Sequence, residues 1–204
     1  VEHFQLPDPL DPSRFDGLRD ASMKVLEDEK RALIIGNISA GIFELYTWTR
    51  GYMKGYADWA GNQNLVKKML HKYTDLQLAY WERMFEVMDG IPIDVVQMAD
   101  DLAGQNRMLI SPKSYKEILK PLHKKMFDYI HSKSDAKIFF HSCGAVRPII
   151  PDLIDAGVDI LNPVQVSAGD MNSAELKREF GKEIVFWGGG VDTQNSFDEL
   201  HTPD

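Results

Sequence analysis

Apolar residues in this chain fall into two kinds of segment that alternate along its length. The first kind is a short, largely apolar run, at 32–37, 93–98, 137–143, 158–162 and 183–188. Such runs, rich in Ile, Val and Phe, are expected of strands buried on both faces. The second kind repeats its apolar positions every three or four residues. Leu65, Met69, Leu70, Tyr73, Tyr80, Met84 and Val87 predict a helix over 62–88, with Gly90 ending it. Ser111-Pro112 predicts the next helix start, Ser as cap and Pro in the first helical position. Tyr115, Ile118, Leu119, Leu122, Met126 and Ile130 carry that helix to about 131, and Pro121 should kink or divide it. Shorter helices are expected after Asp16 and over 41–50, 147–156 (closed by Gly157) and 172–180 (stopped by Gly181). Residues 1–15, with Pro7, Pro9 and Pro12, read as a connecting loop.

Five strands with helices between them imply an α/β fold with parallel pairing and right-handed crossovers. An open doubly wound sheet and part of a (β/α)8 barrel both satisfy that order. A full barrel needs eight strands and typically about 250 residues, so 204 residues with about five strands would be an incomplete barrel. Thr202-Pro203-Asp204 has the cap, proline and acid of a helix start, so the chain is expected to stop as a helix begins. With no initiator Met, residues 1–204 read as a single partial barrel domain truncated at both ends.

Composition narrows the function. The net charge of −8 argues against a nucleic-acid partner, which needs a basic surface. No apolar run approaches the roughly 20 residues of a membrane helix, and the first residues lack the pattern of a secretory signal. A single cysteine excludes an internal disulfide and fits a reducing, cytoplasmic setting.

The candidate chemistry lies at the strand ends. His141 and Cys143 are two apart at the end of the 137–143 run, so extended geometry projects both to one side, as two ligands of a zinc ion would be. The alternative is a core cysteine beside a histidine bonded to backbone. Asp101, Asp192 and Glu44 are the candidates within the chain for a third ligand. Asp100-Asp101 follows another strand, where one carboxylate could act as a general base or hydrogen-bond a pyrrole or amine, and the other would be solvated. Asn162-Pro163-Val164-Gln165 could supply amide hydrogen bonds, or be only a stiff loop. Gly188-Gly189-Gly190 permits close backbone approach but is no dinucleotide fingerprint. Tyr46, Trp48, Tyr52, Tyr56 and Trp59 could line a flat-ligand pocket or, more in keeping with their density, cap a core. His71, His123 and His131, among lysines on helices, read as surface residues.

At these motifs the chain resembles the uroporphyrinogen decarboxylase superfamily. The resemblance rests on Asp100-Asp101-Leu102-Ala103-Gly104-Gln105, Ile110-Ser111-Pro112, His141-Ser142-Cys143-Gly144, the 153–165 stretch ending Asn162-Pro163-Val164-Gln165, and Trp187-Gly188-Gly189-Gly190-Val191-Asp192-Thr193. It implies a (β/α)8 TIM barrel lacking its first strands and its last one or two. One branch of the superfamily decarboxylates uroporphyrinogen without a cofactor, in porphyrin biosynthesis. The other, which the chain resembles more closely, moves a methyl group from a corrinoid protein to a thiol such as coenzyme M. That branch holds zinc with a His-x-Cys pair and a later cysteine. His141 and Cys143 match the pair, and the later cysteine would fall beyond Asp204. The resemblance implies zinc as cofactor, methylcobamide carried by a partner protein docking over the barrel mouth, Asp101 as catalytic residue, and Gln165 and Asn162 as binding residues. The decarboxylase branch places a tyrosine near residue 47, which here is Thr47 beside Tyr46. A barrel that binds a tetrapyrrole or corrinoid without turnover is the non-enzymatic alternative.

Overall fold

Every apolar run predicted as a strand forms one, with a shorter hydrogen-bonded core than the run that marks it. The computed structural model describes residues 8–36, 39–192 and 194. The strands are β1 (Ile34–Ile35), β2 (Val95–Ala99), β3 (Lys137–His141), β4 (Ile160–Asn162) and β5 (Val185–Phe186). They lie side by side in the order β1-β2-β3-β4-β5, all parallel. This order separates the two architectures the sequence leaves open. A doubly wound sheet reverses direction at a switch point, whereas a barrel adds each strand beside the last. The sheet is the barrel progression.

Helices cover one face. They are α1 (Leu18–Met23), α2 (Ile42–Arg50), α3 (Tyr52–Gly61), α4 (Gln63–Val87), α5 (Pro112–Ser114), α6 (Lys120–Lys133), α7 (Ile150–Ala156) and α8 (Ser173–Phe180). Asn62 caps α4 by accepting from Leu65 N–H, and Ser111 caps α5 by accepting from Ser114 N–H at 3.0 Å. Gly157 closes α7 in the left-handed region, with φ 109°. Pro121 does divide the predicted 111–131 helix. A π turn, Tyr115–Leu119, precedes it, and the Lys120 N–H reaches back five residues to Tyr115.

Period-two alternation sorts the strand residues. Val96 and Met98 on β2 and Ile138 and Phe140 on β3 are in register with each other and buried on the helix side. Full burial of each such side chain is worth about 1.5–3 kcal/mol. Phe139, His141 and Asn162 share the opposite, concave side, where Ile34, Val185 and Trp187 are about half exposed.

Three expectations need revision. The segment after 41–50 is a separate helix, α3, behind Gly51 at φ 80°. The aromatic group that spans α2 and α3 divides: Tyr46 and Trp59 are core, while Trp48 and Tyr52 are exposed and bonded to each other at 3.0 Å. His123 is not a surface residue; it is 1% exposed beneath the sheet, whereas His71 and His131 are exposed. Residues 1–7, Asn37, Thr193 and Thr202-Pro203-Asp204, on which parts of the predicted loop, strand, motif and final helix start fall, lie outside the described residues.

Candidate metal centre

The site forms where β2, β3 and β4 end at the same level. Ala99 is in register with His141, and His141 with Asn162. One residue past β2 parity turns Asp100 to the helix side; the next turns Asp101 to the concave side, with His141 and Cys143. Asp101, His141 and Cys143 each offer a ligand atom, and these atoms all lie within 4.8 Å of one another. His141 Nε2 is 3.4 Å from Cys143 Sγ and 3.8 Å from Asp101 Oδ1. The Cys143 N–H donates to that same carboxylate oxygen at 2.8 Å.

The imidazole is oriented by its other nitrogen. Asn162 Nδ2 donates to the Trp187 carbonyl at 2.8 Å, which turns Asn162 Oδ1 toward His141 Nδ1, 2.6 Å away. Nδ1–H therefore donates to Oδ1, and Nε2 is the nitrogen left facing Cys143 and Asp101. The hydrogen bond to Cys143 and, against the opposing effect of burial, the one to Asn162 raise the His141 pKa from 6.5 to about 9, helped by the Cys143 and Asp101 charges. In the metal-free site the imidazole holds a proton that a metal ion would replace.

Two turns bring the donors together. Gly144 has φ 85°, and a Cβ there would lie 2.6 Å from the Gly104 carbonyl oxygen, so the loops after β2 and β3 pass at backbone contact. Ala145 N–H donates to that carbonyl at 3.0 Å. Buried Ser142 accepts from Leu102 N–H at 3.1 Å. Gln165 accepts from Gly144 N–H at 2.9 Å and donates to Gln105 at 2.7 Å, so both ends of its amide brace the turn beside Cys143.

The remaining candidates fall elsewhere. Glu44 accepts from Gly41 N–H at 3.1 Å and from Asp101 N–H; burial, then the Asp100 and Asp101 charges, raise its pKa. It sits behind the cluster and outside it. Asp192 is also outside it and accepts from Gln194 N–H at 2.9 Å. A Cβ on Gly188 would strike the Pro163 carbonyl at 1.8 Å, so this glycine serves close packing between the ends of β4 and β5. Tyr46 turns its hydroxyl into α3, toward Asp58 at 3.1 Å and Gly55, away from the strand ends. A cleft of about 790 Å³ lined by Tyr56, Gln105, Arg107, Leu109, Ala145 and Asp170 shares the flanking loops but none of the three donors.

Asp100 and His123 were not singled out together by the sequence. Asp100 is 0% exposed and accepts from Phe43 N–H, Glu44 N–H and His123 Nε2–H at 3.0, 3.0 and 3.1 Å. The signal was present: His123 is four residues after Leu119 and four before Phe127, on the apolar stripe of its helix.

A sequence profile of the family described as uroporphyrinogen decarboxylase (URO-D) matches residues 1–192. The chain belongs to the uroporphyrinogen decarboxylase family. Among solved structures, a methyltransferase from Methanosarcina mazei shares its fold with a TM-score of 0.58 at 21% identity, over 85% of this chain and 48% of that one. The chain thus spans about half the length of that methyltransferase. No curated protein matches it. Among the described residues, no helix of this family member is long and apolar enough to cross a membrane.

The donor set is compatible with zinc. A tetrahedral zinc with ordinary bond lengths spaces nitrogen and sulfur donors about 3.6 Å apart and nitrogen and oxygen donors about 3.3 Å apart. The 3.4 and 3.8 Å separations lie within about half an ångström of those values. A histidine held by a second hydrogen bond is the usual companion of such a set.

Proposed function

We propose that this protein is a zinc-dependent methyltransferase that transfers a methyl group from a corrinoid protein to a small thiol. The observation that carries this reading is the convergence of Asp101, His141 and Cys143 with Asn162 fixing the ring. Zinc at these donors would lower the pKa of an acceptor thiol and hold it as the thiolate, the form that accepts a methyl group. His141 supplies a neutral nitrogen once its proton is released, and Cys143 supplies sulfur. Asp101, expected from the sequence to be catalytic, is proposed as the third donor, with its oxygen steadied by the Cys143 N–H. Asn162 and Gln165 are proposed to act through others, Asn162 on the ring of His141 and Gln165 on the turn that aims Cys143. The fold shared with a methyltransferase supports this choice within the family. The decarboxylase reading gains no residue from the geometry, since Tyr46 faces Asp58.

The test is zinc binding and methyl transfer from methylcobalamin to 2-mercaptoethanesulfonate. The protein should bind one zinc and demethylate methylcobalamin only when zinc and thiol are both present. His141→Ala with Cys143→Ala should remove both properties. Equal zinc binding by that double variant, or conversion of uroporphyrinogen to coproporphyrinogen without zinc, would overturn the proposal.

A further inference from the structure

Directly behind the donor cluster lies a second arrangement, built on the fully buried Asp100 and His123. Burying a carboxylate completely is costly unless its lone pairs are met, and here they are met by three separate parts of the chain. The Asp100 carboxylate takes two N–H groups from the first turn of α2 and one from His123 on α6. Its backbone N–H donates to the carbonyl of His141 at 3.0 Å. This approach needs glycine at the start of α2: a Cβ on Gly41 would collide with the Asp100 carboxylate. That same turn returns the Glu44 carboxylate to the N–H of Asp101.

His123 is itself held on every side. It stacks on Phe127 with ring centroids 5.8 Å apart and meets the edge of Phe140 at 5.4 Å. Its Nδ1 lies 3.5 Å from the hydroxyl of Tyr115, which burial keeps protonated by raising its pKa. Eight residues along a regular α-helix would leave Tyr115 and His123 about 80° apart around the axis. The π turn at Tyr115–Leu119 absorbs one residue and brings them to within about 20° of one face. The π turn thereby aligns the hydroxyl with the imidazole.

We infer that Asp100 and His123 are a buried positioning pair that sets where Asp101 stands relative to His141 and Cys143, by clamping α2 and α6 to the end of β2. An apolar pair would fill the same space but leave the Phe43 and Glu44 N–H groups without an acceptor. What the ionisable pair adds is direction, since each carboxylate lone pair accepts only along a narrow set of approaches. The inference rests on the reading of Asp101, His141 and Cys143 as metal ligands, and its test separates the two.

Cobalt(II) is titrated in place of zinc, because its visible absorption reports the donor set. His123→Met, which fills the space without a donor, should weaken cobalt affinity about 10–100-fold and alter the thiolate-to-cobalt band. His123→Gln, which restores a nitrogen donor, should recover both. Gly41→Ala, which forces α2 off Asp100 without touching His123, should reproduce the loss. A role in stability alone would lower the melting temperature and leave the affinity and spectrum of the folded protein unchanged; that result in both His123→Met and Gly41→Ala overturns the inference. In the unaltered protein, the Phe43 and Glu44 amides should exchange hydrogen as slowly as those of β2. Exchange at the rate of an open first helical turn would also overturn it, whether or not the variants fold. Absence of cobalt and zinc binding by the unaltered protein would refute the metal reading, while the amide exchange would still decide the clamp.

Discussion

At the N-terminal end of β4, His131 and Asp159 lie 3.1 Å apart; at the C-terminal end of β2, His123 and Asp100 lie 3.1 Å apart as well. The first pair leaves 36% and 27% of its side-chain surface in water, the second only 2% and 0%. Asp159 also accepts from the Ile138 N–H and from Lys137, both local contacts between neighbouring strands. Asp100 instead gathers α2, α6 and β2 at one point. Equal distances therefore mark unequal interactions: solvent screens the first pair, and only desolvated charge makes the second expensive to disturb. The contrast follows the division of labour in barrels, where one end of the strands serves stability and the other chemistry.

The contrast can be broken by substitution. Asp100→Ala leaves two helix N–H groups and a buried imidazole without their acceptor, and should cost about 3–5 kcal/mol in chemical denaturation. A loss below 1 kcal/mol would place the two ends on equal terms. Asn162→Ala removes the group that orients His141, and should reduce zinc affinity about 10–100-fold in a chelator competition with little change in stability.

The pH dependence of the metal-free protein is a finer probe. His141 titrates at about 9 when folded and near 6.5 when unfolded, so the folded state binds its proton more tightly. That contribution to stability is complete below pH 6.5 and is lost as pH rises through about 9. An NMR titration of His141 with a midpoint at or below 6.5 would contradict the hydrogen bonding drawn for the ring. The smallest effect belongs to the other end: His131→Ala should cost no more than about 1 kcal/mol, because its partner stays hydrated and keeps Lys137 and Ile138 N–H.

Much of this was legible in the chain itself. All five strands stand where short, largely apolar runs place them, and Ser111, Pro112, Pro121 and Gly157 mark real helix boundaries. Helix α3 carries no clear helical period, because Tyr52 and Met53 are exposed while Trp59 is buried. Lysines at 120, 124 and 125 surround His123 in sequence and suggest a surface position, although its spacing to Leu119 and Phe127 puts it on the buried stripe. The choice between Asp100 and Asp101 was beyond reach. The 93–98 run has no clear alternation from which to count parity, so only the register with β3 assigns one acid to each face.

The sequence by itself determined the elements, their parallel pairing and the His141/Cys143 pair, because these follow from periodicity and from spacing within one segment. Tertiary structure decided the strand order that separates barrel from doubly wound sheet. It also brought Asp101 within 4.8 Å of a pair 40 residues away and set Asn162 against the ring. These are relations between strands, fixed by hydrogen-bond register and by the close approach of loops at Gly41, Gly144 and Gly188, and no local pattern encodes them.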